Sequence, residues 1–531
     1  MKQKFLLTIF LAAFIGALAQ PVIKKQRVGG DTLRNLFSCM ALTTDGGFIT
    51  GGTTYIPYVS PLGNREDFLA IKYNRNGNKE WVHTYDQSST DNEMREIIQT
   101  KDGGYLMGGS QESIYWIVKT DSAGNELWNR NFYGSSSYRG SHFSCMQETK
   151  DAGFIIGGYS YSDSGGYKSE DHVGSIYDVR PDYWVLKLDS AGNKEWDKTV
   201  GGAYDDYLTC VYQTADGGFL LGGYTNSGVY GDKTEPTRGG YDYWIVKLDT
   251  AGKKLWDKSL GSNGSEWLNS VQETDDGGYI LDGYSNSQPG GDKTSPHYGM
   301  RLTYDFWIAK LDAQRSLVWN KTIGGDNEDI LTSFQRMKDG SYLLGGYSES
   351  GNKFYKTDTS RGEDDYWIVK TDSALNAIWD KTVGGNSEDK LFSALEIGKG
   401  KYVLGGFSRS DISGDKTLPS LASGENAGDF WIVGLTEPTL PLTAFTTQEA
   451  DNIKTKKDAL SFFSYPNPVK NILHVQATGK TTFTLTDQSG KIFITKTISG
   501  NGEINVSQLA AGLYYLKNQT TGETQKIIIT K

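Results

Sequence analysis

One sequence motif recurs seven times along this chain. It consists of two glycines, an aromatic residue, two aliphatic residues and usually two more glycines, and it is followed by an aromatic pair that opens an apolar run. The fourth copy reads DGGFLLGGYTNS, then YDYWIVKLD, then AGKKLWDKSLG, within residues 216–261. A self-repeat of this length is typical of supersecondary modules that bury their apolar faces only against their neighbours. The repeat therefore constrains the architecture before any single side chain is interpreted.

Each copy divides into four apolar segments separated by turn signals, which we name strands A to D. In the fourth copy they are residues 207–214, 219–224, 243–248 and 255–260. Ala-Asp-Gly-Gly links A to B and Asp-Thr-Ala-Gly links C to D, both with the residues of tight hairpin turns. Four antiparallel strands in each of seven copies predict an all-β fold, a seven-bladed β-propeller over residues 20–436.

The two ends of the repeat array predict how the ring closes. Six D strands carry a tryptophan, but no D strand follows Trp431. The segment KKQRVGG at 24–30 aligns instead with DKTVGG at 197–202. We expect residues 22–28 to supply the missing D strand of the seventh blade, which removes an exposed sheet edge.

Composition and the N-terminus bound the setting in which the protein works. Residues 1–19 combine Lys2 and Lys4, an apolar stretch and an A-x-A site, which predicts a secretory signal peptide. No other run is apolar enough for a transmembrane segment. The net charge of −10 and the pI of about 5.2 argue against nucleic acid as a partner. The three cysteines, Cys39, Cys145 and Cys210, occupy one equivalent strand position and are expected to be small core residues.

The C-terminal part lacks the repeat motif and has a different composition. Residues 437–460 are rich in Thr, Lys and Pro and are interpreted as a linker. Residues 461–531 alternate apolar and polar positions between turns, which favours a small Ig-like β-sandwich.

The final seventy residues resemble the type A C-terminal sorting domain of the Bacteroidetes type IX secretion system. The matching residues are Tyr465, Pro466, Asn467, Pro468, Gly512, Leu513, Tyr514 and Lys531. The resemblance implies that the outer-membrane translocon and its sortase are partners and that the protein is released or attached to the cell surface. The alternative is an Ig-like module used for binding.

Two further resemblances concern the propeller. The segment LDSAGNKEWDKTVGG resembles the tryptophan-docking repeat of quinoprotein propellers, which implies blade packing. The chain lacks an adjacent cysteine pair and a C-x-x-C-H haem signature, so we expect no quinone and no other cofactor. Segments such as YDYWIVKLDSAGN resemble segments of uncharacterised Bacteroidetes repeat proteins that carry this tail. This resemblance implies no activity.

Loop lengths point to one face of the ring as the binding face. Because strand direction alternates, the B–C and D–A connections share one face, and the B–C connection is long in six blades. Long loops are usually functional or disordered. Tyrosine on a polar rim suits sugar or protein recognition, and the alternative is that some of these tyrosines pack the long loops. The binding-face candidates are Tyr167, Tyr177, Tyr230, Tyr298 and Tyr355.

An aspartate stands just before the aromatic pair of strand C in six blades. Carboxylates near backbone carbonyls suit Ca²⁺, which makes Asp182, Asp242, Asp305, Asp365 and Asp429 calcium candidates. The alternative is that each aspartate accepts backbone N–H bonds and fixes its own loop, as short polar residues do at turns. Recurrence in nearly every blade favours the structural role, so no metal is expected.

Catalytic signals are sparse. There is no H-E-x-x-H, no G-x-S-x-G and no Cys–His pairing, so no catalytic residue is predicted. His172 and His297 lie in long loops and are expected to be solvated. We therefore expect a non-enzymatic binding or adhesion protein at the surface or secreted, with a glycan or protein ligand. The alternatives are a polysaccharide lyase or hydrolase and a structural surface-layer component.

Overall fold

A computed structural model describes residues 20–29, 35–57, 64–86, 91–135, 140–175, 179–421, 428–438, 462–465, 469, 471–487, 491–510, 512–521 and 524–529. The chain divides into two compact units that part near residue 438. The predicted signal peptide and almost all of the predicted linker lie outside the described residues, and the domain limits stay predictions.

The first unit contains seven four-stranded antiparallel sheets, as the repeat predicts. The strands of blades 1 to 3 are β2 to β5 (Asn35–Leu42, Phe48–Pro57, Asn64–Tyr73, Lys79–Tyr85), β6 to β9 (Asn92–Gln99, Tyr105–Gln111, Ile114–Thr120, Glu126–Phe132) and β10 to β13 (Ser141–Glu148, Phe154–Ser160, Asp182–Leu188, Lys194–Val200). Those of blades 4 and 5 are β14 to β17 (Asp206–Gln213, Phe219–Thr225, Asp242–Leu248, Lys254–Leu260) and β18 to β21 (Glu266–Glu273, Tyr279–Ser285, Asp305–Leu311, Leu317–Ile323). Blade 6 has β22 to β25 (Asp329–Arg336, Tyr342–Ser348, Asp365–Thr371, Ala377–Val383), and blade 7 has β26 to β28 (Asp389–Gly398, Lys401–Ser408, Asp429–Thr436) with β1 (Val22–Gly29).

Strand β1, which we name the latch, closes the ring by pairing antiparallel with β28. The predicted D strand of the seventh blade is therefore confirmed. Val28 lies opposite Trp431, whereas Thr199 lies opposite Trp184 in blade 3, so the latch runs one residue out of the expected register. Gly29 then stands opposite Phe430, where a methyl group would lie 3.0 Å from the Phe430 Cβ atom. Glycine at this position therefore permits the close approach of the two strands.

Consecutive A strands contact one another all round the ring, which places strand A innermost and strand D outermost. In six blades, strand C is almost fully buried. This burial matches its nearly continuous apolar sequence, because neighbouring blades cover both of its faces.

The aromatic pair that opens strand C ties each blade to the next. The Tyr183 hydroxyl donates a hydrogen bond to the Trp244 carbonyl at 3.1 Å, and its ring centroid lies 4.9 Å from that indole. Tyr243 repeats the arrangement on Trp307, and Tyr366 repeats it on Trp431. The recurring tyrosine thus contributes both ring packing and a buried hydrogen bond to the interface between blades.

The D-strand tryptophans of blades 1 to 4 pack against the C–D turn of the next blade. Gly192 has a φ of +79°, and a methyl group there would lie 2.9 Å from the Trp128 ring. Blade 5 has Arg315 in the corresponding left-handed position, with its guanidinium 5.1 Å from the Trp256 centroid. The indoles serve in blade packing, the role that the tryptophan-docking resemblance implies.

The second unit is a small antiparallel β domain. Its strands are β29 (Phe462–Tyr465), β30 (Ile472–Thr486), β31 (Ile492–Asn505), β32 (Gly512–Asn518) and β33 (Thr524–Ile529). A register shift between Gln476 and Lys480 divides β30, so that its first half pairs with β29 and its second half with β32. The two halves enclose a core that includes Leu473, Phe483 and Ile527.

Candidate functional site

The long B–C connections and the D–A turns lie on one face of the propeller, as the alternation of strands predicts. Blade 1 is one of the six blades with a long B–C connection, but much of that connection is strand. Its B–C hairpin continues to Pro57 and Asn64, so that Tyr55 pairs with Glu66 within the sheet. Blade 2 joins its B and C strands by a two-residue turn between Gln111 and Ile114. The irregular loops are therefore concentrated on blades 3 to 7.

The aspartates that open strand C hold their own loops. One carboxylate oxygen accepts a backbone N–H from the preceding loop in each case: Val173 to Asp182, Arg238 to Asp242, Tyr298 to Asp305, Arg361 to Asp365 and Leu421 to Asp429. In Asp182 the other oxygen faces Gly201, where a methyl group would lie only 1.8 Å away. The geometry supports the structural alternative. Among the residues that the structure describes, no group of three or more His, Cys, Asp or Glu is placed to hold a metal ion.

The motif Gly-Asp-Lys-Thr, which recurs in long loops from residues 231, 291 and 414, is also structural. The Lys233 ammonium is buried and donates to the Ser259 hydroxyl and the Glu235 carbonyl, both at 2.6 Å. The Asp232 N–H donates to the Gly201 carbonyl of the preceding blade. Equivalent lysines in blades 3, 5 and 6 have pKa values lowered to about 8 by burial: Lys168, Lys293 and Lys356. The motif joins each loop to its own D strand and to the blade before it.

The two loop histidines are not solvated, so that expectation is wrong. The side chains of His172 and His297 are 3% and 1% exposed, respectively. His172 Nδ1 contacts the Asp163 carboxylate, and His297 Nδ1 lies 2.8 Å from Asp305 Oδ2. Each imidazole pairs with a carboxylate of its own loop or of the strand that follows it. Loop length alone does not reveal these histidine–carboxylate pairs.

The candidate tyrosines occupy separate places on the rim. Tyr167 packs against Phe132 and Tyr133, while Tyr230 is 53% exposed at the tip of its turn. Tyr298 and Tyr355 lie together, with ring centroids 5.7 Å apart. Tyr177 lies outside the described residues. Among the described residues, no ring contact joins Tyr167, Tyr230 and the Tyr298–Tyr355 pair into one surface.

A continuous aromatic surface lies closer to the centre of the ring. Its nine members, which we name the aromatic belt, are His142, Tyr159, Tyr161, Tyr207, Tyr224, Tyr241, Trp267, Tyr284 and Tyr304. Successive ring centroids are 4.5 to 6.3 Å apart, and every member is half-buried. The rings come from the start of strand A, the end of strand B and the adjoining loops of blades 3 to 5. The belt therefore borders the mouth of the ring on the binding face.

The aromatic belt breaks the sevenfold pattern. At the position of Tyr207 and Trp267, blade 1 has Leu36, blade 2 has Glu93 and blade 7 has Lys390. A unique site needs residues that the other copies lack, so this departure marks a functional candidate. The residue after the paired glycines was the sequence signal for it, since it is tyrosine in blades 3 to 6.

Hydroxyl groups give the belt polar edges. The Tyr241 hydroxyl donates to Asp205 Oδ2 at 3.0 Å, and the Tyr161 and Tyr207 hydroxyls are 3.5 Å apart. Burial raises the pKa of Tyr224 and Tyr284, which keeps both phenols neutral and able to donate. The surface thus combines ring faces for stacking with hydrogen-bonding groups.

A second departure from the repeat lies in the wall of the central channel. A bulge in each A strand is followed by one equivalent residue per blade: Cys39, Glu96, Cys145, Cys210, Ser270, Ser333 and Ser393. Ser333 Oγ and Glu96 Oε2 each accept an N–H from the next blade. The three cysteines are free thiols, and burial raises their pKa values. Position and chemistry agree with small interface residues in all copies except Glu96.

Asp282 is the second unusual carboxyl group. It stands where the other blades have the first of two glycines, and it accepts hydrogen bonds from Ser270 and Asn269. Burial raises its pKa to about 7, and burial raises the pKa of Glu96 to about 8. The repeat alignment exposes both residues, since each is the single carboxylate at its position.

Glu96 and Asp282 are expected to lower the stability of the fold above neutral pH. Both pKa values are raised on folding, so the folded protein binds more protons than the unfolded chain between about pH 4 and 8. The free energy of unfolding therefore decreases as pH rises through this range. The double variant Glu96→Ser/Asp282→Gly, which restores the residues of the repeat, should melt about 4 °C or more higher than the wild type at pH 8.5.

Thermal melts between pH 5 and 9 measure this effect. The gain in Tm should shrink toward pH 5, where both groups hold their protons. Glu126→Gln removes an exposed carboxylate and serves as the control, with no change in the pH profile. An equal gain at pH 5 and pH 8.5, or a loss at pH 8.5, contradicts the assignment.

Comparison with known proteins assigns the tail. Residues 464–530 match the family of secretion system C-terminal sorting domains. The protein is therefore a seven-bladed propeller with a type IX sorting domain, and it is exported to the cell surface or secreted. No helix in the part of the chain that the structure describes is long and apolar enough to cross a membrane. Tyr465 lies in β29, and Gly512, Leu513 and Tyr514 lie in β32; Pro466, Asn467, Pro468 and Lys531 lie outside the described residues.

No curated protein sequence matches this chain. Among solved structures, a Bacteroides caccae protein of unknown function is 11% identical, covering 69% of this chain and 94% of its own, with a TM-score of 0.36. A Dyadobacter fermentans protein of unknown function is 10% identical over 79% and 100%, with a TM-score of 0.39. A streptogramin B lyase is 9% identical over 79% and 99%, with a TM-score of 0.44. Similarity at this level carries no functional argument.

Removal of residues 461–531 is expected to leave the propeller in the periplasm. The truncated chain keeps all seven blades but lacks the domain that the secretion system recognises. Fractionation of the producing cells, followed by immunoblotting, measures the distribution. As a matched control, residues 437–531 fused to a periplasmic reporter should carry it to the surface or the medium. Truncated protein at the surface contradicts the expectation.

Proposed function

We propose that this exported protein is a non-enzymatic binding or adhesion protein that holds a glycan on its aromatic belt. The observation that carries the proposal is the run of nine contacting rings across blades 3 to 5 at the channel mouth. Tyrosine and tryptophan present large rigid faces with a polar edge, which suits the apolar faces and the hydroxyl groups of sugars. Export to the cell surface or the medium gives the belt access to extracellular polysaccharide.

The packing of the belt favours tight binding. Trp267 contacts Tyr224 and Tyr241 at centroid distances of 4.5 and 5.0 Å, and Tyr224 contacts Tyr207 at 5.2 Å. Rings that support one another are already in place before a ligand arrives. Little side-chain entropy is then lost on association, so more of the contact energy appears as affinity.

A glycan array probed with the mature full-length protein tests the proposal. Binding of at least one glycan family is expected, and the bound polysaccharide should be recovered with no new reducing ends and no unsaturated products. A protein ligand, which aromatic hot spots also suit, would appear as the absence of glycan binding together with belt-dependent capture of one defined protein.

A polysaccharide lyase or hydrolase is the second candidate function. Glu96 supports it, because a carboxyl group with a pKa raised to about 8 by burial has the proton affinity of a general acid near neutral pH. Turnover of a bound polysaccharide that is lost in Glu96→Gln would replace the binding function with the enzymatic one. Binding without turnover removes this candidate.

A further inference from the structure

The charged side chains beside the aromatic belt affect which net charge a ligand of the belt can carry. Among the described residues, six carboxylates act electrostatically on the belt or on the adjoining residues Tyr347 and Glu328: Glu93, Asp205, Glu328, Glu349, Asp364 and Glu388. Four cations accompany them, namely Arg95, Arg180, Lys390 and Arg409. The described part of the mouth therefore has an excess of negative charge.

Each of these cations is already engaged by a carboxylate of the chain. Arg95 pairs with Glu93 at 2.9 Å, and Arg180 lies 3.4 Å from Asp205. Lys390 and Arg409 each approach Glu388 at 2.5 Å, and Lys390 also lies 3.3 Å from Asp364. An acidic sugar would have to take a cation away from its present partner and leave that carboxylate uncompensated.

Glu328 and Glu349 make the opposite contribution. Neither forms an ion pair with any lysine or arginine among the described residues, and the Glu349 N–H donates to the Glu328 carbonyl. Burial, followed by the charge of Glu349, raises the pKa of Glu328, and the charge of Lys390 offsets part of this rise. Glu328 also acts electrostatically on Tyr284, at the blade 5 end of the belt. A negatively charged ligand on the belt would therefore approach two carboxylates that no ion pair of the described residues neutralises.

We infer that the belt selects neutral glycan chains and rejects chains that carry uronate, sulfate or phosphate groups. The inference rests on the proposed glycan-binding function and adds the chemical class of the ligand. Stacking on the rings supplies affinity for both classes, while the surplus of carboxylates and the engagement of all four cations disfavour the acidic class.

The test compares neutral and acidic glycans that share one backbone and differ at the carboxyl-bearing carbon. Suitable pairs are methyl-esterified and free polygalacturonate, β-1,4-mannan and mannuronan, and cellohexaose and its oxidised uronate form. Calorimetric titration of the mature full-length protein at low salt should give at least tenfold tighter binding of the neutral member on every backbone that binds. Raising the salt concentration should narrow the difference, since exposed charges are screened.

A double variant, Glu328→Gln/Glu349→Gln, should reduce the neutral-to-acidic ratio at least threefold. Glu126→Gln makes the same kind of charge change on the opposite face and should leave the ratio unchanged. Equal or tighter binding of the acidic members, or a ratio that the double variant does not alter, overturns the inference but leaves the glycan-binding function standing. Absence of binding both to every pair and to every glycan of the array removes both.

Discussion

Deletion of residues 20–30 is expected to lower the Tm of the propeller by about 10 °C or more. The deletion removes β1 and with it the seven paired residues that hold the free edge of β28. Ile23 leaves the core of blade 7, and the Gln26 side chain no longer bonds the loop at Asp415 and Thr417. The ring then has an open edge, which exposes unpaired backbone groups and apolar surface together.

Differential scanning calorimetry of the purified deletion variant and the mature chain measures the loss. Lys24→Ser is the matched control, because Lys24 lies at the register shift of the latch with its side chain exposed, and its Tm should match that of the wild type. The deletion variant should also bind a dye specific for exposed apolar surface. A transition unchanged by the deletion would show that β28 needs no partner.

Loss of the central ring of the belt is expected to abolish glycan binding. Trp267→Ala removes contacts to Tyr224, Tyr241 and Tyr284 at once, and the affinity should fall at least thirtyfold. Tyr207→Ala should reduce affinity at least tenfold, since this ring joins the blade 3 and blade 4 parts of the belt. Trp267→Phe should recover part of the affinity, because stacking needs a ring face.

Tyr230→Ala and Tyr167→Ala are the matched controls on the outer rim. Both tyrosines lie on long loops of the same face, but neither ring contacts the belt in the described contacts. Their variants should bind glycan with wild-type affinity, and all four alanine variants should show cooperative melting. If Tyr230→Ala or Tyr167→Ala abolishes binding while Trp267→Ala does not, the site lies on the loops and the belt is packing.

The scaffold follows from the sequence because its interactions recur. The strands of blade 4 differ from their predicted limits by one residue at each end or less, and the latch was recognised from a missing D strand. Repetition averages out local ambiguity: a turn or an apolar run that occurs seven times is a far stronger signal than one copy. The one-residue offset at Gly29 was beyond this reasoning, since it depends on how closely Phe430 approaches.

The candidate site was harder to predict because it depends on which rings meet across blades. Loop length alone favours loop tyrosines such as Tyr230, which stay candidates, whereas the proposed belt comes mainly from strand positions that look like ordinary scaffold. His297 shows the same difficulty, because its burial depends on Asp305, eight residues later in the chain. Comparing the repeats position by position reveals Glu96, Asp282 and Trp267, since each departs from its equivalents.

The pairing of β1 with β28 also relates the folding of the propeller to its sorting. Residues 22–29 are synthesised before every other strand of the propeller and residues 429–436 after them, so closure waits for the whole array. The sorting domain follows that last strand. A chain that is interrupted anywhere within the propeller lacks both β28, the strand that β1 pairs with, and the sorting domain. Only molecules that contain every strand of the closed ring therefore also contain the sorting domain that directs them to the cell surface.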